Sequence, residues 1–119
     1  MPNTQKDLHK KLLGLKGEKL AQKHLKSLGY KILKTNYVTP FGEADIVCSY
    51  QSAIVFVEVK TRSSLKFGTP KDAVNYKKQK KYKQIAEFYM LSNNLDDVEI
   101  SFAVVEVFDG LVNLVTDAF

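Results

Sequence analysis

The sequence predicts an α/β fold, a mixed sheet flanked by helices in the order αβββαββ, built as one domain over residues 1–119. Three observations carry this reading. A helical apolar repeat fills the first 28 residues, and three β-rich segments follow between residues 30 and 62, with turn residues at 40–42 and 51–52. A second helical stretch then separates a closing pair of strands. The chain has 119 residues, 45% hydrophobic and 26% charged, which is the balance of a globule with one core rather than of a disordered tail.

Asn3 or Thr4 can cap the first helix, and Gly29 supplies its stop after Leu28. Leu8, Leu12, Leu15, Ala21, Leu25 and Leu28 recur at helical spacing, so all six are expected on a packed face. Residues 30–38 read as the first strand, with Tyr30, Ile32 and Tyr37 packed. Pro40-Phe41-Gly42 turns the chain into a second strand, residues 43–50. Gln51-Ser52 makes a tight connection to a third, residues 53–61, which is rich in Val, Ile and Phe on both faces and therefore central. After a loop through Ser63-Ser64, Thr69 and Pro70 suit the cap and first turn of a helical segment that can restart at Asn75. That segment continues to about Leu91, with Val74, Ile85, Phe88 and Tyr89 facing the sheet, and Asn93-Asn94 ends it. Residues 98–108 and 111–115 form a last hairpin through Asp109-Gly110.

The single cysteine, Cys48, excludes an internal disulfide and a multi-cysteine zinc site, and it reads as inert core. His9 and His24 share no ligand spacing and read as surface residues. No apolar stretch follows the N-terminus, and the longest strongly apolar run, residues 53–57, is far too short to cross a bilayer. A cytoplasmic domain with no membrane partner is expected.

The net charge of +5 is unevenly spread: +7 over residues 1–40, −1 over 41–62, +5 over 63–92 and −6 over 93–119. Two basic blocks flanking a slightly acidic centre suit a polyanion gripped on either side of an acidic spot. A lysine-rich solvated surface would produce the same asymmetry and is the commoner origin of it. The densest basic stretch holds Lys77, Lys78, Lys80, Lys81 and Lys83, and on a helix it offers a phosphate-backbone contact face that carries no base-reading information.

The chemistry concentrates on the second and third strands. Alternation places Ile54, Phe56, Glu58, Lys60 and Arg62 on one face of the third strand, with Glu58 and Lys60 about 7 Å apart. An ion pair at a sheet end, or a strand surfacing into solvent, would explain that triplet by itself. In the second strand, Glu43, Asp45 and Val47 are expected on the face opposite Ala44, Ile46 and Cys48. A hairpin closed at Gln51-Ser52 brings Asp45 beside Glu58. Two adjacent carboxylates repel unless a cation lies between them, and oxygen ligands from Asp45, Glu58 and the Val59 carbonyl suit Mg²⁺ or Mn²⁺ rather than zinc. Glu18 falls on the inward stripe of the first helix with Gly14, Ala21 and Leu25, as a third acid near the same centre. Lys60 then lies where an ammonium can stabilise a phosphoryl oxygen or orient an attacking water.

Gly17-Glu18, Phe41-Gly42-Glu43-Ala44-Asp45, Val57-Glu58-Val59-Lys60-Thr61-Arg62 and Phe67-Gly68 together resemble the YraN family of small bacterial proteins, over nearly the whole chain. Through that family the chain is similar to the PD-(D/E)XK nuclease superfamily, archaeal Holliday-junction resolvases included. The resemblance implies a restriction-endonuclease-like fold and a Mg²⁺- or Mn²⁺-dependent endonuclease acting on DNA, with structured or branched DNA in repair or recombination as a substrate. It maps Asp45, Glu58 and Lys60 onto metal-binding and catalytic positions and Glu18 onto the helical acid. Arg62 and the lysines at 77, 78, 80, 81 and 83 would then contact nucleic acid, and a homodimer would suit cleavage of both strands of a duplex. Where family members usually carry Arg-Phe-Asp on the later strand, this chain has Ser101-Phe102-Ala103. Two other readings use the same residues: a non-catalytic nucleic-acid-binding module in a repair complex, and a scaffold docking partners on the acidic strands from Asp96 to Asp117.

Overall fold

The computed structural model describes residues 4–62 and 75–119. Asn3, the Ser63-Ser64 loop, Phe67-Gly68, the Thr69-Pro70 cap and Val74 lie outside the described residues. The element order is α1 (Thr4–Ser27), β1 (Lys31–Thr39), β2 (Gly42–Tyr50), β3 (Ala53–Arg62), α2 (Tyr76–Ser92), β4 (Glu99–Phe108) and β5 (Leu111–Val115). This is the expected αβββαββ order and is consistent with a restriction-endonuclease-like fold. The strands stand in sequence order in one five-stranded sheet. All neighbours are antiparallel except β3 and β4, which pair in parallel from Ala53↔Glu99 to Arg62↔Phe108. A parallel pair needs a crossover connection, and α2 lies within it.

Both helices end the same way. Gly29 at φ +93° lets Tyr30 N–H reach Leu25 C=O at 3.0 Å and Gly29 N–H reach Lys26 C=O at 3.1 Å, the paired bonds of a left-handed helix cap. In α2, Asn94 at φ +51° takes the same place, with Leu95 N–H bonded to Met90 C=O and Asn94 N–H to Leu91 C=O. At the other end of α2, the Asn75 side chain accepts the Lys78 N–H at 2.9 Å, so the helix does start at Asn75.

The sheet carries a core on each face. Ala21 and Leu25 of α1 pack with Ile46, Cys48, Val55, Val57, Ala103, Val105 and Val107. Tyr82, Ile85, Ala86 and Tyr89 of α2 pack with Ala44, Val47 and Phe56 on the opposite face. The α2 stripe differs from expectation in that Tyr82 is fully buried, while Phe88 is only half-buried and meets Phe41 edge-on. The α1 stripe differs too. Leu8, Leu12, Leu15 and Leu28 are each about half exposed, so the expected stripe is not packed along its whole length, and Leu28 sits where the cap turns the chain away. Cys48 is buried, and desolvation pushes its thiol up to about 12, which makes it inert.

Gly17 is where α1 touches β3. A Cβ there would overlap Thr61 Oγ1 and come within 3.2 Å of Thr61 Cβ. Gly17→Ala is therefore expected to destabilise the protein by about 1–3 kcal/mol through overpacking. Adding Thr61→Ala should recover most of that loss in a thermal melt. A tolerated Gly17→Ala would show that α1 can shift off the strand.

Candidate active site

Asp45 and Glu58 meet where the β2–β3 ladder ends. Pairing runs from Tyr50↔Ala53 to Ile46↔Val57 and then stops. One residue further on, Asp45 Oδ2 accepts the Val59 N–H at 2.8 Å, so a carboxylate takes the place of a ladder bond. This interrupts the alternation of β2. Ala44 packs with Val47 under α2 while Ile46 and Cys48 face α1, so the expected grouping of Glu43, Asp45 and Val47 against Ala44, Ile46 and Cys48 does not hold across Asp45. The neighbouring strand is irregular at the same level. Asn36, between the partners of Ile46 and Ala44, sits at φ +50°. Asparagine tolerates that conformation better than most residues.

Burial is the main reason that Asp45 is raised from 3.8 to about 7; the nearby Glu58 charge adds to it, and the Val59 N–H opposes it. The expected pair of adjacent carboxyls thus holds a proton near neutral pH. Glu58 is 4% exposed, and protein donors reach both of its oxygens. Tyr82 Oη donates to Oε2, while Lys78 Nζ pairs with Oε1 and Lys60 Nζ lies 3.7 Å from Oε1. Tyr82 Oη also lies 3.4 Å from the Val57 carbonyl and 3.5 Å from the Asp45 nitrogen. Burial and the two carboxylates raise its phenol far above the ordinary range, so it stays a donor.

A cleft of about 480 Å³ opens beside the pair, lined by Leu13, Gly14, Glu18, Asp45, Glu58, Val59, Lys60 and Thr61. Glu18 is half-buried there. Desolvation raises its carboxyl, a hydrogen bond with the Asn36 side chain lowers it, and the charges of Glu43 and Glu58 raise it further. The structure therefore gathers Glu18, Asp45, Glu58 and Lys60 at one cleft. Three participants escaped the sequence reading. The sequence places Lys78 on the phosphate-contacting face, assigns Tyr82 no role, and makes Asn36 an ordinary strand residue.

The basic residues divide. Lys77, Lys80, Lys81 and Lys83 are exposed along α2, whereas Lys78 is turned onto Glu58. Arg62 is 9% exposed, and its Nε lies 2.7 Å from Glu106 Oε2. Its guanidinium is thus engaged inside the protein, which does not suit a surface contact with nucleic acid. The parallel register places Glu106 opposite Lys60, diagonal to Arg62.

Among the described residues no three His, Cys, Asp or Glu side chains are grouped so as to hold a metal ion, so Glu18 does not join Asp45 and Glu58 as a third ligand. A divalent ion at this site would be held by Asp45 and Glu58 and completed by water and backbone oxygen, the manner in which Mg²⁺ is usually bound. The donor set fits. Two carboxyls share a buried spot, one of them raised to about 7, and an ammonium already stands against Glu58 as a cation. No described helix is long and apolar enough to cross a membrane.

Comparison with known proteins agrees with the motifs. A relative from Alkaliphilus oremlandii, named as a UPF0102 protein, is 52% identical over 99 residues, covering 82% of this chain and 85% of its own. UPF0102 proteins of Clostridioides difficile and Caldicellulosiruptor bescii are 44% and 46% identical, covering 87% and 92% of this chain and 92% and 98% of their own. The profile of the "Uncharacterised protein family UPF0102" matches residues 17–107, a span that includes Glu18, Asn36, Asp45, Glu58, Lys60, Lys78 and Tyr82. The chain belongs to the UPF0102 family, which is the YraN family that its motifs resemble.

Proposed function

We propose that the protein is a Mg²⁺- or Mn²⁺-dependent endonuclease that hydrolyses phosphodiester bonds in DNA. The observation that carries this reading is the pairing of Asp45 and Glu58, two desolvated carboxyls on adjacent strands at the wall of an open cleft, with Glu18 and Lys60 beside them. A fold needs no such cluster for stability, since desolvating two adjacent acids is costly even where each has a partner. When bound by Asp45 and Glu58, a divalent ion supplies Lewis-acid polarisation of the phosphate and activation of water.

The remaining steps fall to the chain's own groups. Water adds its oxygen to phosphorus, the bond to the leaving oxygen breaks, and that oxygen takes up a proton. Lys60, on the cleft wall, offers an ammonium to a phosphoryl oxygen whose charge redistributes during attack. Glu18, half-buried and raised, can accept the proton that the attacking water loses. Lys77, Lys80, Lys81 and Lys83 lie exposed on α2, where they can hold backbone phosphates without reading sequence.

The test is cleavage of single-stranded, duplex, flap and four-way DNA with Mn²⁺ or Mg²⁺, using Glu58→Ala as the control. Metal-dependent cleavage by wild type and none by Glu58→Ala is expected. Binding of DNA with no cleavage of any substrate would replace this reading with that of a nucleic-acid-binding module.

A further inference from the structure

We propose that Lys78 is an internal cation of the metal-free site, and that loading of a divalent ion at Asp45 and Glu58 releases its ammonium from Glu58 toward the DNA backbone. The inference rests on the metal-dependent reading above and concerns how that site is filled and emptied.

Both oxygens of Glu58 are engaged. Oε2 is held by Tyr82 Oη, and Oε1 by Lys78 Nζ with Lys60 Nζ at 3.7 Å. Each oxygen of this 4%-exposed carboxylate already has a protein donor, and a divalent ion on Oε1 would stand against the Lys78 ammonium, so a like-charged partner has to leave. Tyr82 is unsuited to leave. It is fully buried in the α2 core, stacks edge-on against Phe119, and its hydroxyl also neighbours the Asp45 nitrogen and the Val57 carbonyl. Lys60 stands further off and contributes to the cleft wall in any case.

Lys78 is the movable donor. Its side chain is 34% exposed, and four rotatable bonds connect its ammonium to a helix that is fixed independently by the Asn75 cap and the Tyr82–Ile85–Tyr89 stripe. It can swing out without disturbing the core. Its neighbours Lys77, Lys80 and Lys81 are exposed, so a released Lys78 joins the basic face of α2. One side chain would thus neutralise the acids before metal arrives and contact phosphate afterwards. The trade is one cation for another, which keeps the desolvated pair compensated throughout.

Amine acetylation followed by mass spectrometry tests the exchange on wild-type protein. With no divalent ion, Lys78 should acetylate several-fold more slowly than Lys77 and Lys80, and Mg²⁺ should bring its rate close to theirs. Calorimetric titration with Mg²⁺ provides a second readout. Lys78→Met keeps the aliphatic stem and removes the competing cation, so it should bind Mg²⁺ about tenfold more tightly than wild type, equal to about 1.4 kcal/mol. Lys80→Met, which removes an exposed charge from the same helix, should change the affinity by less than about twofold. If Mg²⁺ binds wild type while Lys78 reactivity stays constant and Lys78→Met binds no more tightly, the exchange is wrong and the metal site stands. If neither protein binds Mg²⁺ or Mn²⁺, the metal-dependent reading fails and takes this inference with it.

Discussion

Asp45→Asn is expected to melt at a higher temperature than wild type at pH 8 in the absence of metal, and at nearly the same temperature at pH 4. The sign follows from the direction of the Asp45 shift. Its carboxyl is raised from 3.8 to about 7 by burial and by Glu58, so the native state keeps a proton that the unfolded chain has already released. Stability falls as pH rises wherever the native state binds more protons, here between about 4 and 7, and the full loss is present above that window. A rise of this size corresponds to about 4 kcal/mol. Asparagine resembles the protonated acid. It presents an oxygen to the Val59 N–H and an amide that can donate to Glu58, and it does not ionise. The variant should therefore avoid the loss, gain roughly 5–15 °C at pH 8, and show a flat profile across the window. Excess Mn²⁺ should reverse the order, since a ligand at 100 times its dissociation constant adds about 2.7 kcal/mol to wild type and nothing to a variant that cannot bind it. A lower melting temperature for Asp45→Asn at pH 8, without metal, would show that the carboxylate stabilises the fold and would remove the case for a strained acid pair.

Stability given up at such a spot is what a functional site predicts, and it also explains which parts of the molecule the sequence made legible. Local rules reached far. Gly29, Asn93-Asn94 and Asp109-Gly110 mark the places where the chain turns through positive φ, and the short Gln51-Ser52 connection alone places Asp45 beside Glu58. What failed was whatever depends on how distant elements come to rest. Leu8, Leu12 and Leu15 have the right period for a packed face, but periodicity says only that they lie together, and all three stay about half exposed. Arg62 looks like a basic end to a strand until the parallel β3–β4 register brings Glu106 within 2.7 Å. Tyr82 and Lys78 reach Glu58 because α2 crosses the sheet at one angle and height, which no spacing within its basic stretch encodes. Asn36 was hidden for a different reason, since a left-handed residue inside a strand contradicts the strand pattern that surrounds it.

Lys60→Ala is expected to lower the rate of cleavage by about 10²–10³ while leaving the fold almost untouched. From sequence, the loss of Lys60 could have stranded a buried Glu58 at a cost of roughly 3–5 kcal/mol. The structure redistributes that burden. Glu58 is also held by Lys78 and Tyr82, and Lys60 is one-third exposed at 3.7 Å, so its contribution to folding is that of a loose, partly solvated pair, about 0–1 kcal/mol. The melting temperature should therefore drop by no more than a few degrees. The rate should respond far more, because an ammonium facing a phosphoryl oxygen gains most where charge builds up, in the transition state, and adds little to binding of the ground state. Single-turnover cleavage, DNA binding in Ca²⁺ and a melt on one preparation separate the two roles. A variant that folds, binds and cuts at the wild-type rate would take Lys60 out of the mechanism. One that loses several kcal/mol of stability would make it a structural partner of Glu58, with Lys78 unable to hold that carboxylate alone.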